Sequence, residues 1–317
     1  MFIYKSVKKT EDDMMLAVKV SLFSNIALFA IKAIAFIIVN SLAIAADLGI
    51  SIIALGVSIF LYYVMRVSQR PADYFHNYGY GKIENVAEAM EGVILIGLAI
   101  AMSFQAIMNI IRPSAVHAPF IGLVASILGI GINFWGASFI LKLAEKHRSP
   151  ALKAEGIHFR LEGFISLAIT ISFGLVLIAN YKGLTRLAKY IDPFAALVVS
   201  VFIAVPSFRL LKEAFMKLLD ASIEESSQLD VVKALARHYH NYCNFKDIKT
   251  RTAGRKKFVN IHLVMPEHLS LNRVHRVARE LKHDLAGVLS EGEVVIHIEP
   301  CNRDCVHVRD NKKCPYE

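Results

Sequence analysis

A chain of 317 residues is long enough for two domains, but 55% of its residues are hydrophobic and its mean hydropathy is +0.46. These values exceed those of ordinary soluble chains, so the composition predicts a membrane protein. The formal net charge of +9 comes from basic residues scattered along the chain rather than gathered on one face, which argues against nucleic-acid binding.

Six apolar runs are each long enough to cross a bilayer as a helix, which takes roughly 20 residues. They lie near residues 14–39, 41–65, 90–111, 119–141, 157–180 and 191–211. The polar start MFIYKSVKKTEDD lacks the form of a cleavable signal, so we expect the first run to remain as the first span. The predicted transmembrane transport domain covers residues 1–213.

Six spans place both ends of the chain on one side of the membrane. Loops on that side hold most of the basic loop residues, whereas the opposite loops hold Arg112 and, against the trend, Lys182, Arg186 and Lys189. Basic loops stay in the cytoplasm, so both termini are predicted to be cytoplasmic. The cysteines near the C-terminus agree with a reducing compartment. A compact chain without a targeting segment indicates a prokaryotic inner membrane.

Ionisable residues interrupt two of the spans. His158 and Glu162 are four residues apart and share one face of the fifth helix, while Asp47 and Ser51 repeat this spacing in the second. An ionisable group within a span costs roughly 2.5 to 3.5 kcal/mol on insertion scales and usually marks an ion or proton path. Asp47 could instead accept hydrogen bonds from neighbouring helices, and Ser51 could be a packing residue. The spacing favours one ion site shared by the two helices.

The connector RVSQRPADYFHNYGYGKIE follows the second span and places Asp73 three residues before His76. Its series RPADxxHxxGYGKxE, preceded by AxxAD in the second span and followed by HFRLE in the fifth, resembles the cation diffusion facilitator family of divalent-metal transporters. The resemblance extends from about residue 12 to residue 300.

The resemblance implies a transport site made of Asp47, Ser51, His158 and Glu162. Zinc-selective members usually have aspartate where this chain has Ser51 and Glu162, so the identity of the metal stays open. Nitrogen and carboxylate ligands accept several divalent ions. Zinc is expected first and iron(II) or manganese next, while cobalt, nickel and cadmium are also compatible.

The resemblance also implies a second metal site in the connector. Its positions are Asp73, His76 and Tyr80, where Tyr80 replaces the usual histidine, so two strong ligands remain. Lys82 matches a residue that pairs with an acid after the sixth span. Asp220 fits that partner, and such an interlock would couple the tail to the membrane helices.

Residues 214–300 are expected to form a cytoplasmic α+β domain with the order αββαβ, which is metallochaperone-like. Alternation in KFVNIHLVM and EVVIHIEP leaves His262, His297 and Glu299 on the face opposite the apolar one.

The resemblance implies a regulatory metal site at His262, His275, His297 and Glu299, with Lys246 in place of a further histidine, and a domain that pairs in a homodimer. The alternative is that these are ordinary exposed histidines.

Two further clusters of ionisable residues allow more than one interpretation. Residues 301–317 carry Cys301, Cys305, His307 and Cys314, whose spacing matches no familiar zinc finger, so a solvated reduced tail is favoured. Glu84, Glu88 and Glu91 form a stripe at the start of the third span, and only Glu84 belongs to the family pattern. The other two either attract cations or are simply solvated.

The predicted function is proton-coupled efflux of a divalent cation by a homodimer in the lipid bilayer, with metal and protons as the substrates. The chain has no GxxxxGK[ST] phosphate loop, which favours a transporter driven by an ion gradient rather than an enzyme. The alternative is a non-transporting metal sensor. An ion channel is less favoured, because a four-ligand site holds its ion.

Overall fold

The computed structural model describes the backbone of residues 2–39, 42–112, 119–289 and 292–302. Side chains are described for these residues except 2–9, 39, 42–47, 50, 119, 121 and 122. The chain divides into two compact units, Met1–Phe215 and Met216–Glu317.

Six long helices build the first unit, and each is long and apolar enough to cross a membrane. They are α1 (Phe2–Val39), α2 (Leu42–Ser68), α3 (Lys82–Ile111), α4 (Pro119–His147), α5 (Pro150–Tyr181) and α6 (Thr185–Leu218). Large apolar side chains such as Phe23, Ile37 and Phe104 are exposed, as expected for a surface covered by lipid rather than water. The predicted six-helix membrane architecture is confirmed.

Four helices, α1, α3, α5 and α6, begin at least six residues before the apolar runs that predicted them, and α3 and α5 carry site residues near these beginnings. α3 begins at Lys82 rather than near residue 90, and α5 begins at Pro150 rather than near residue 157. Ser149 caps α5 by accepting a hydrogen bond from a backbone amide one turn into the helix, and proline suits the first helical position. An apolar run marks the buried or lipid-covered part of a helix, so it missed these charged first turns.

Glycines let α5 pack closely against α4. A Cβ atom at Gly156 would lie 2.6 Å from Cγ of Leu141, and one at Gly163 would lie 3.1 Å from the ring of Phe134. Small residues at helix interfaces allow such close backbone approach in membranes. This packing fixes the part of α5 that carries His158.

Within its described residues, the second unit contains two α-helices and a three-stranded sheet. Its elements are α7 (Glu225–Arg237), a short 3-10 turn (Tyr239–Asn241), β1 (Asn244–Ala253), β2 (Lys256–Met265), α8 (Leu271–Leu289) and β3 (Gly292–Pro300). β2 lies between an antiparallel β1 and a parallel β3. The predicted αββαβ order is therefore the observed one.

One face of this sheet supports the core of the unit. Val259, Ile261 and Leu263 of β2 are fully buried and pack in one cluster with α8 residues such as Leu281 and Leu285. Successive side chains of a strand point to opposite faces, so the residues between them face away from the helices. This leaves the second face of the sheet open to polar side chains.

Candidate metal-binding sites

His158 and Glu162 lie together inside the membrane unit, one turn apart on α5. Nε2 of His158 is 3.2 Å from Oε1 of Glu162, and the two residues are only 5% and 8% exposed. Two ligands about 2.0–2.2 Å from one ion lie roughly 3–3.5 Å apart. The pair therefore has the spacing of two ligands on a common metal.

The α2 half of the predicted transport site is described only in part. Ser51 is buried. Asp47 belongs to α2, but its side chain lies outside the described residues. The meeting of the α2 pair with the α5 pair therefore stays a prediction.

A third helix contributes to the polar centre. Glu91 of α3 contacts Nδ1 of His158 through its Oε1, and it is only 4% exposed. Glu84 and Glu88, on the same stripe, are also buried, so the alternative that Glu88 and Glu91 are simply solvated is wrong. Glu84 accepts a hydrogen bond from the Ser149 hydroxyl. The spacing of the stripe within an apolar helix was the available signal, because an acid repeated at one face of a span faces protein rather than lipid.

Glu155 closes the cluster from the preceding turn of α5. Its Oε1 accepts a hydrogen bond from Ser21 of α1 and another, 3.0 Å long, from Ser58 of α2. One ligand atom from each of Glu91, Glu155 and His158 lies within 4.8 Å of the others. Four helices therefore converge on one buried centre of carboxylates, hydroxyls and an imidazole, all of them groups that bind hard or borderline cations.

The connector between α2 and α3 holds its two predicted ligands close together. Nδ1 of His76 is 3.4 Å from Oδ1 of Asp73, and both residues are exposed. The Tyr80 hydroxyl donates to Oδ2 of Asp73 at 2.6 Å, and its ring lies 4.2 Å from the imidazole ring. This hydrogen bond lowers the pKa of the Asp73 carboxyl and raises that of the Tyr80 phenol. The Tyr80 phenol thus occupies the space next to Asp73 and holds its carboxylate by a hydrogen bond.

The open face of the sheet gathers three of the four predicted cytoplasmic ligands. His262 and His297 lie opposite each other on β2 and β3, with ring centroids 4.7 Å apart. Nδ1 of His262 is 2.8 Å from Oε1 of Glu299. Nζ of Lys246 is 2.6 Å from Oε2 of the same carboxylate. Hydrogen bonds, first from Lys246 and then from His262, lower the pKa of Glu299.

His275 does not join this group within one chain. It is exposed on α8, whose apolar side packs against the other face of the sheet. A role for His275 as a ligand stays a prediction.

The remaining predicted positions are the Lys82–Asp220 pair and the cluster near the C-terminus. Oδ1 of Asp220 is 3.8 Å from a guanidinium nitrogen of Arg251, and the pairing of Asp220 with Lys82 stays a prediction. Cys301 is partly exposed as a free thiol, while Cys305, His307 and Cys314 lie outside the described residues.

Comparison with known proteins identifies both units. The model of the cation efflux transmembrane domain matches residues 18–219, and that of the cation efflux protein's cytoplasmic domain matches residues 225–301. The cation-efflux pump FieF of Cronobacter sakazakii is 27% identical over 275 residues, which make up 87% of this chain and 89% of that protein. FieF of Salmonella arizonae is 26% identical over 277 residues, again 87% and 89% of the two chains.

A solved chain of CzrB is 26% identical and covers 26% of this chain and 100% of its own length, with a TM-score of 0.25. The family assignment comes from the two domain models, which together account for most of the sequence. With six membrane helices followed by the matching α+β domain, the chain belongs to the cation diffusion facilitator family and is a membrane protein of metal cation efflux.

Proposed function

We propose that this protein is a homodimeric antiporter that exports a divalent cation from the cytoplasm in exchange for protons. The observation that carries the proposal is the buried pair of His158 and Glu162 at metal-sharing distance within a membrane helix. A purely structural ion pair would be destabilising there, because burying charged groups costs free energy unless many partners offset it. Ionisable residues within a membrane span therefore usually have a function.

The ligand chemistry supports exchange between metal and protons. A histidine and a carboxylate bind a metal only in their deprotonated forms, so binding of the cation releases protons from the same groups. When the ion leaves on the other side, the groups can take up protons again. Alternating access by rocking of the helix bundle would then move the two kinds of ion in opposite directions.

We assign the transport site to Asp47, Ser51, His158 and Glu162, with zinc as the first expected substrate and iron(II) or manganese next. Residues 1–213 would form the transport domain of a bacterial inner-membrane protein with cytoplasmic termini. The FieF relatives are cation-efflux pumps of two bacteria, which supports the bacterial part of this assignment.

The cytoplasmic part has a regulatory role in this proposal. Residues 214–300 would bind metal and pair with a second copy, and residues 301–317 would form a reduced tail. A weaker metal site is assigned to the connector, at Asp73 and His76. Lys82 and Asp220 are assigned to an interlock between the tail and the membrane helices.

A metal sensor without transport is the second candidate. The partly exposed cluster of His262, His297 and Glu299 favours it, because such a cluster can bind metal without any membrane passage. Ser51 is also a poorer ligand than a carboxylate.

Flux measurements on the purified chain in proteoliposomes separate these functions. We expect saturable Zn²⁺ uptake with protons moving the opposite way, and loss of both in Asp47→Ala and His158→Ala. Arg160→Ala is the matched control, because Arg160 is exposed on the same helix. Binding of Zn²⁺ without flux would favour the sensor, and Zn²⁺ flux without proton movement would refute the antiporter.

A further inference from the structure

Glu91 belongs to a helix from which the sequence predicted no transport ligand, yet it contacts the imidazole at the centre of the site. Its Oε1 lies against Nδ1 of His158, while the other ring nitrogen, Nε2, faces Oε1 of Glu162 at 3.2 Å. Both ring nitrogens thus face a carboxylate oxygen, but Nε2 can bind an ion only without its proton, so the one proton of a neutral imidazole then stays at Nδ1, against Glu91. The lone pair is then on the opposite nitrogen.

We propose that Glu91 is a positioning residue of the transport site. It accepts the Nδ1–H of His158, fixes the tautomer and the ring orientation, and so directs the Nε2 lone pair toward the cation and Glu162. Metal-binding histidines commonly donate their other ring N–H to a carboxylate, which also makes the imidazole a stronger ligand. This inference rests on the proposed function and adds α3 to the helices that set its geometry.

The two ring nitrogens have surroundings that fit different roles. Glu91 and Nδ1 of His158 are in direct hydrogen-bond contact, at a separation shorter than that of two ligands on one ion. Nε2 and Glu162 also hydrogen-bond each other, but their 3.2 Å separation is one that two ligands of one ion can keep. Glu155 is the other nearby carboxylate, but its Oε1 already accepts hydrogen bonds from Ser21 and Ser58. Glu91 is therefore the carboxylate that controls Nδ1.

Packing fixes the backbone of α3 at this point. A Cβ atom at Gly92, the next residue, would lie 2.9 Å from Cβ of Leu211 and 3.0 Å from its backbone nitrogen. α3 is thus held against α6 on one side while Glu91 reaches α5 on the other. A close-packed neighbour of this kind is what a positioning residue needs, because a mobile acceptor would not hold one ring orientation.

The test is Co²⁺ binding to the full-length protein in detergent, followed by visible absorption, which reports the number of ligands on the ion. All variants carry His76→Ala, His262→Ala and His297→Ala, so that the connector and cytoplasmic clusters do not contribute. Glu91→Leu is expected to weaken Co²⁺ binding by about 10- to 100-fold, the usual cost of losing such a carboxylate. Glu91→Gln is expected to weaken it by about tenfold or less but measurably, since its amide oxygen still accepts the Nδ1–H.

Glu88→Gln is the matched control. Glu88 is a buried acid on the same helix and receives a hydrogen bond from Asn85, so its replacement should leave Co²⁺ affinity unchanged. The band shape of bound Co²⁺ should be the same in Glu91→Gln as in the parent, because a positioning residue is not itself a ligand. Thermal unfolding checks that each variant is folded, and Glu91→Gln remains informative if Glu91→Leu is not.

Two results would overturn the inference. If Glu91→Gln bound Co²⁺ with the affinity of the parent, the Glu91 carboxylate would have no influence on His158. If the absorption band of this variant had a different shape, Glu91 would be a ligand rather than a positioning residue. Failure of the proposed function looks different: His158→Ala would then bind Co²⁺ as well as the parent, whatever happens at Glu91.

Discussion

The ammonium group of Lys246 lies 2.6 Å from Oε2 of Glu299. It forms an ion pair with a carboxylate that would otherwise be available to a metal. An ion that binds His262, His297 and Glu299 must compete with this tethered charge. Both partners of the ion pair are partly exposed, and ion pairs in contact with solvent are weak. Lys246→Ala is therefore expected to tighten Zn²⁺ binding at the cytoplasmic cluster by up to about fivefold.

Competition with a zinc-binding dye measures this affinity in the full-length protein. Lys249→Ala is the matched control, because Lys249 is an exposed lysine of the same strand. Equal or weaker Zn²⁺ binding in Lys246→Ala would contradict the competition.

Tyr80 gives a second test at the scale of one side chain. Its hydroxyl bonds Asp73, and its ring lies beside His76. Tyr80→His would add a third metal ligand beside Asp73 and His76. Many zinc sites have three protein ligands. We expect one additional Zn²⁺ per chain, counted by metal analysis after gel filtration. Tyr78→His, an exposed position of the same connector, should add none. An unchanged count in Tyr80→His would mean that the connector is not arranged for metal.

Residue spacing predicted some contacts of the centre and not others. His158 and Glu162 were predicted to meet, because residues four apart share a helix face whatever surrounds the helix. Glu91 was not predicted to touch His158, since that contact depends on how α3 and α5 pack against each other. The same limit applies to His275 in the cytoplasmic unit, because its distance from the other predicted ligands depends on how α8 packs on the sheet. Strand alternation predicted the face of His262, but the layer that α8 occupies follows from tertiary packing.

The α4–α5 interface links element packing to the transport site. Gly156 lies two residues before His158, and a Cβ there would collide with Leu141. Overpacking of this kind costs about 1–3 kcal/mol and moves the backbone. Gly156→Val should therefore reduce Zn²⁺ flux in proteoliposomes more strongly than it reduces the amount of folded protein.

Gly174 offers a control on the same helix, because a Cβ atom there would meet nothing within 4 Å. Gly174→Ala should keep the flux of the parent protein. If Gly156→Val transported Zn²⁺ at the same rate as Gly174→Ala, close packing of α4 and α5 would not be what places His158.

Orientation in the membrane is a property of the whole molecule, and the chain provides its own probes. Cys243, Cys301, Cys305 and Cys314 all follow the last span. Because basic loops favour the cytoplasmic side, these thiols are expected inside the cell, out of reach of a membrane-impermeant maleimide. Intact cells should therefore leave the wild-type protein unlabelled, whereas cells made permeable should allow its labelling.

The basic residues that oppose this orientation lie in the loop between α5 and α6 and in the first turns of α6, so this loop is the place to test it. Lys182→Cys puts a thiol at an exposed position of that loop and should be labelled in intact cells. Asn77→Cys, exposed in the connector between α2 and α3, should be labelled only after the cells are made permeable. Charge counted over the short loops decides the orientation, and the α2–α3 and α4–α5 connections outweigh residues 182–189 in that count. If Asn77→Cys but not Lys182→Cys were labelled from outside, the orientation would be opposite to the predicted one, and the inferred direction of transport would be reversed.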